Sequence, residues 1–177
     1  QAVRTELFEN DRLYRYLNRN TKFATLLEKT PERADALIEG AHGCIGMALS
    51  LLEGGGLSDI LKRREAVDAV VAALAERGTL PLYDAVHTLP SSKRDELCEV
   101  LSLLSEALRD LILLKRAPKA PLLYYTDREG AIALMEKIGI GRLLALSDAA
   151  AEAIDDLAKN ANVPIVLAGL MHAVTAR

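Results

Sequence analysis

Apolar side chains recur every three or four positions along almost the whole chain, and nowhere do they alternate with polar ones over the length of a convincing strand. Leu13, Tyr14, Tyr16 and Leu17 stand among Arg12, Arg15 and Arg19, which predicts a short amphipathic helix over 11–19 with Asp11 as its cap. The basic face of that helix is expected only to be solvated. Thr30-Pro31 opens a second helix, because proline is pre-organised for the first helical position, and this helix turns Ala34, Leu37, Ile38 and Ala41 inward before stopping at Gly43. Ile45, Ala48, Leu49 and Leu52 then define a third helix, which the run Gly54-Gly55-Gly56 cuts off.

Beyond the glycine run the stripes lengthen. Ser58 is placed to cap a helix reaching Arg77, with Ile60, Val67, Val70, Val71 and Leu74 inward, Arg64 interrupting the stripe and Gly78 as the stop. Leu82, Val86 and Leu89 predict a brief helix closed by Pro90. Ser91 and Ser92 are read as caps of the longest helix, whose repeat of Leu97, Val100, Leu101, Leu104, Leu108, Leu111 and Ile112 is apolar enough to require contacts on more than one side. Pro118 and Pro121 bracket an extended connection, since proline and the residue before it disfavour a helix interior. Thr126 and Glu129 form an expected capping box ahead of Ala131, Leu134, Met135 and Ile138. Leu143, Leu146, Ala150, Ile154 and Leu157 mark the next helix, and Val163, Leu167, Leu170, Met171 and Val174 the last. Leu122 to Tyr125 is extended but has no partner with which to build a sheet.

Composition agrees with an all-α fold. Half of the 177 residues are apolar and 27% are charged, with seven aromatics (five Tyr, two Phe) and no Trp, which excludes a disordered chain and argues against a β-sandwich. A formal net charge of −3 gives no reason to expect a broad nucleic-acid footprint over the whole chain. Cys44 and Cys98 are far apart and suit two reduced, buried thiols better than a disulfide scaffold. No apolar run reaches the roughly 18 residues that span a bilayer, and no secretory signal opens the chain, so a soluble, cytoplasmic protein without membrane contact is expected. The start at Gln1 rather than Met leads us to expect a fragment or a processed chain.

Two short motifs carry more information than the periodicity. Gly43-Cys44-Ile45-Gly46-Met47-Ala48 is a Gly-x-x-Gly turn opening directly into a helix, where the glycines permit backbone angles or close approaches that a Cβ would block. Leu157-Ala158-Lys159-Asn160-Ala161-Asn162-Val163-Pro164 lets the chain reverse within three residues, with Asn160 in a left-handed C-terminal position and Asn162 capping the next helix. Both runs resemble segments of bacterial clamp-loader subunits of the DNA polymerase III delta-prime type: the first is similar to the last lid helix, the second to the Asn-x-Asn junction between the last two collar helices.

The resemblance covers nearly the whole chain and implies a small three-helix lid remnant over 1–53, marked by Gly43, Gly46, Met47 and Ala48. This unit would be hinged at Gly54, Gly55 and Gly56 onto a collar bundle of about five helices over 57–177, with Asn160 and Asn162 as the collar junction. It further implies an AAA+-class replication machine in which the collar holds the subunits together, gamma/tau and delta subunits as partners, and DNA bound only indirectly within the complex. In ATP-binding relatives an arginine follows the first motif glycine by three residues; here that place is Gly46, and the next is Met47. With no cation at either position, and with no Gly-x-x-x-x-Gly-Lys-Ser/Thr pattern, no nucleotide, metal or other cofactor and no hydrolytic activity are expected of this chain.

Other candidates weigh less. His42, His87 and His172 lie on different segments with no ligand spacing around them, so a zinc or catalytic reading has little support. Glu152, Asp155 and Asp156, and likewise Lys62, Arg63 and Arg64, are expected to be solvated faces. Ser91 and Ser92 are better explained as caps than as nucleophiles. A free-standing helical adaptor is the alternative function, although no segment repeats at a period of 20 to 50 residues. An enzyme would need an inward cluster of titratable groups that the sequence does not display.

Overall fold

The computed structural model of the protein describes residues 8–41, 43–54, 57–76 and 78–175. Among these residues the fold is all-α, with ten helices and no strand. They are α1 (Asn10–Leu17), α2 (Thr21–Lys29), α3 (Pro31–Gly40), α4 (Ile45–Gly54), α5 (Leu57–Ala75), α6 (Leu80–His87), α7 (Arg94–Arg116), α8 (Arg128–Lys137), α9 (Ile140–Ala158) and α10 (Val163–Thr175). The chain divides into two compact units, Gln1–Lys62 and Arg63–Arg177, so the division falls within α5 rather than at the glycine run. Gly54 is the last residue of α4; Gly55 and Gly56 of the expected hinge lie outside the described residues.

In the first unit α3 packs against α1, α2 and α4. Leu13, Leu17, Phe23, Ala34, Leu37, Ile38, Ala41 and Ala48 form its core, and the Tyr14 and Phe23 rings meet edge to face with centroids 5.6 Å apart. Four helices precede the glycine run where three were expected. The additional one, α2, buries Phe23 and half-buries Leu26 and Leu27, and starts at Asn20, whose side chain accepts from the Lys22 backbone N–H at 2.9 Å. Asp11 is not a cap: it lies in the first turn of α1, where a negative charge favours the positive helix end.

The second unit is built around α7, the longest helix, flanked by α9 and α8, with α10 packed on α9 and α6. Leu97, Val100, Leu101, Leu104, Leu108 and Leu111 are buried as the stripe predicts, while Ile112 and Ile154 are only partly buried. Three further caps differ from expectation, and the first is Ser58, which lies in the first turn of α5 and not before it. Ser91 and Ser92 are exposed and α7 starts past them, with Lys93 in the cap position, because Arg94 turns back towards the end of α9. Asp127, not a Thr126/Glu129 box, caps α8, its carboxylate accepting from the Glu129 and Gly130 amides at 3.1 Å. Both cysteines are free thiols, but Cys44 is exposed and Cys98 half-buried, against the expectation that both are buried. No described helix is long and apolar enough to cross a membrane.

Candidate functional site

The glycine motif of the first unit is a turn with unequal glycines. Gly43 is buried at φ 76°, a left-handed conformation that side chains rarely adopt, and its carbonyl accepts from the Phe8 N–H at 2.9 Å. Gly46 has no such need. It sits in the first turn of α4 with ordinary helical angles, and a Cβ built on it would meet nothing within 4 Å, so the sequence reading of Gly46 as a steric requirement is corrected. Met47 is 51% exposed, whereas Ala48 is fully buried in the core of this unit. His42 lies outside the described residues.

The Asn-x-Asn junction in the second unit is held more firmly than its sequence suggests. Asn160 has φ 64°, the only positive φ at a non-glycine residue among those described, which ends α9 and turns the chain towards α10. Asn162 occupies the cap position of α10 through its backbone: its carbonyl accepts from Ile165 at 3.0 Å and from Val166 at 3.1 Å, and no hydrogen bond reaches its side chain among the described residues. Arg94, the first residue of α7, then fixes the turn from outside. Its guanidinium donates to the Leu157 carbonyl at 3.0 Å, the Asn160 side-chain oxygen at 2.8 Å and the Ala161 carbonyl at 3.1 Å. A delocalised cation with a forked donor set is suited to these orphan acceptors at the negative end of a helix.

A buried polar cluster elsewhere in the second unit is absent from the sequence reading. Asp110 is fully buried on α7, and one carboxylate oxygen accepts from the consecutive backbone N–H groups of Leu123, Tyr124 and Tyr125 at 2.8, 2.7 and 3.3 Å. Its other oxygen accepts from Arg109 at 3.0 Å. Arg64 donates to the Tyr124 carbonyl at 2.8 Å and lies over the Tyr124 ring, 4.6 Å from its centroid. The Tyr124 hydroxyl donates to Asp68 at 2.8 Å.

The interruption that Arg64 makes in the apolar stripe of α5 is therefore a binding position for the 117–127 connection, and Arg63 pairs with Glu99; neither is the solvated charge expected. Burial pushes the Asp68 carboxyl above its ordinary value against the opposing effects of Tyr124 and Arg64. Burial, reinforced by the nearby carboxylates, raises both Tyr124 and Tyr125 well above the usual phenol range, so both rings stay neutral. The Tyr125 hydroxyl is buried with no protein partner among the described residues. Apart from the Arg109–Asp110 contact within α7, the bonds of this cluster tie the 117–127 connection to α5 and α7, so what they do is hold that connection in register. A cluster of this kind is signalled in sequence only by an Asp inside a leucine stripe and an Arg inside a valine stripe.

Among the described residues no group of three or more His, Cys, Asp or Glu side chains is placed to hold a metal ion. Glu152, Asp155 and Asp156 lie along one side of α9, where Asp155 pairs with Lys159. Comparison with protein-family models, with curated proteins and with solved structures returns no match.

Proposed function

We propose that this chain is a structural, non-hydrolysing part of a bacterial clamp loader of the delta-prime kind, cytoplasmic, and assembled with gamma/tau and delta subunits through the helices after Ser91. The observation that carries the reading is the α9–α10 junction. Asn160 adopts the left-handed turn expected of the Asn-x-Asn run, and α7 holds it through Arg94. The positive φ of Gly43 at the mouth of α4 supports the same reading from the first unit. Gly46 and Met47 offer no cation to a phosphate, so no nucleotide chemistry belongs to it. Exposed apolar side chains on the collar-like helices, Leu144 at 44% and Ile165 at 71%, suit burial against neighbouring subunits.

The test is reconstitution. The chain, mixed with the folded gamma/tau and delta subunits of its own organism, is expected to co-elute with them in size-exclusion chromatography at micromolar concentration. Elution of the chain alone, with those partners folded and competent to assemble with one another, overturns the assignment and leaves the helical-adaptor reading in its place.

A further inference from the structure

The first unit carries a concentration of positive charge that the overall balance of −3 conceals. Arg12, Arg15 and Arg19 project from the face of α1, and the turn after it, opposite buried Leu13 and Leu17, and all three are exposed. They are interleaved with two exposed rings, Phe8 at 41% and Tyr16 at 47%. These five residues together line an open cleft of about 490 Å³. Among the described residues none of the three guanidinium groups is ion-paired; the one hydrogen bond they make is from Arg15 Nε to the Asp11 backbone carbonyl at 3.3 Å. Among the described residues Glu9 and Asp11 are the nearby carboxylates in sequence, and neither is drawn into a pair with these arginines. The cleft also has a fixed wall, because the Phe8 N–H is tied to the Gly43 carbonyl at 2.9 Å and Leu13 and Leu17 anchor α1 in the core.

From this arrangement we propose that the α1 cleft binds single-stranded nucleic acid, its arginines taking successive phosphates while Tyr16 and Phe8 present faces on which bases stack. Unpaired arginines alone fit any polyanion. Exposed rings set between them select a ligand that alternates phosphate with a flat aromatic group, which an acidic peptide does not offer and a paired duplex keeps stacked inside. Sequence alone implies only a solvated basic face; the structure places the rings and the cations in one cleft. The proposal stands apart from the clamp-loader assignment, which asks for no direct contact between this chain and a strand.

Fluorescence anisotropy of a labelled oligo(dT) with the intact chain tests it, with a duplex of equal length and polyglutamate as competitors. The strand is expected to bind in preference to both competitors, with affinity falling as salt rises. Joint Arg12→Ala, Arg15→Ala and Arg19→Ala replacement should weaken binding by about tenfold or more and flatten the slope of log affinity against log salt by about 2, three phosphate contacts at roughly 0.7 each for a single strand. Tyr16→Ala should weaken binding by about tenfold with the slope unchanged, since stacking releases no counterions. Circular dichroism verifies that the variants fold; if the triple variant does not, Arg19→Ala and Tyr16→Ala carry the test separately. No binding, unchanged affinity in the arginine variants, unchanged affinity in both Tyr16→Ala and Phe8→Ala, or equal competition by polyglutamate or duplex each overturns the proposal.

Discussion

Arg94 and Asn160 are 66 positions apart in sequence and 2.8 Å apart in space, with the Arg94 guanidinium donating to the Asn160 amide oxygen while it also serves the Leu157 carbonyl in the last turn of α9 and the Ala161 carbonyl in the junction after it. The first residue of one core helix thereby caps the last turn of another. Replacing Arg94 with Ala should destabilise the second unit by about 1–3 kcal/mol, the order expected when partly buried acceptors lose charge-assisted donors. Arg94→Lys should recover little, because one ammonium does not reproduce a fork across three acceptors. Urea denaturation followed by circular dichroism reads both; full recovery in the Lys variant contradicts the geometry.

The junction residue itself makes a sharper prediction. Asn160→Ala keeps a Cβ at φ 64° but removes the short polar side chain that makes this conformation tolerable for Asn, and should cost about 1–2 kcal/mol together with the lost Arg94 hydrogen bond, whereas Asn160→Gly loses the bond but has no Cβ to strain the turn. Thermal unfolding should therefore rank the native chain first, Gly second and Ala last. Ala above Gly is the contradictory order.

The two motif glycines should respond in opposite directions. Gly43→Ala forces a side chain into the left-handed region and is expected to destabilise the first unit by about 1 kcal/mol or more. Gly46→Ala adds a methyl where nothing lies within 4 Å, inside a helix, and should stabilise by about 0.5–1 kcal/mol. Equal losses at both positions would contradict the separation drawn between them.

These cases show what the sequence makes legible. A left-handed Asn160, the buried leucines of α7 and a non-helical connection over 117–127 all follow from local rules: residue type, period and proline placement; that the connection turns between Pro118 and Pro121 instead of running extended does not. What escaped depends on partners distant in sequence. Nothing local reveals that Arg94 reaches Asn160, or that Asp110 collects the amides of Leu123, Tyr124 and Tyr125. The cap assignments at Ser91, Ser92 and Thr126 failed for a related reason, since several polar residues in a row offer competing starts and tertiary contacts choose among them. Helix α2 is a different case, because Phe23, Leu26 and Leu27 have helical spacing in the sequence itself.

Truncation of Asp110 should be among the most damaging single changes in the second unit. Asp110→Ala leaves three backbone donors without their acceptor, two of them in bonds of 2.8 and 2.7 Å, and a loss of about 3 kcal/mol or more is expected. Hydrogen exchange localises it: the Leu123, Tyr124 and Tyr125 amides should lose protection before those of α9. Uniform loss across the unit contradicts a local latch.

The raised carboxyl of Asp68 gives a pH dependence of definite sign. The folded state holds this proton above the ordinary value of 3.8, where the unfolded chain releases it, so from 3.8 upward to its raised folded value this residue makes the fold less stable as pH rises. Asp68→Asn removes that component, so its stability relative to the native chain should improve with pH across the window. Tyr124 and Tyr125 act in the same direction in base: both remain protonated in the folded protein above the ordinary phenol value of 10.0, so stability should fall as pH rises past it. Denaturation midpoints collected across pH check both; an opposite trend in the Asn variant refutes the first.

The proposed collar role of the second unit is put to the test by analytical ultracentrifugation of the chain with gamma/tau and delta subunits, native against Leu144→Glu and Ile165→Glu. Both positions are exposed apolar residues on α9 and α10, so the charge should leave the isolated chain folded. An interface core tolerates an unpaired charge poorly. The account predicts a single sedimenting complex with the native chain and its weakening by at least one of the two substitutions, with the helical signal of the free chain unchanged. A chain that sediments alone beside assembled partners would contradict it.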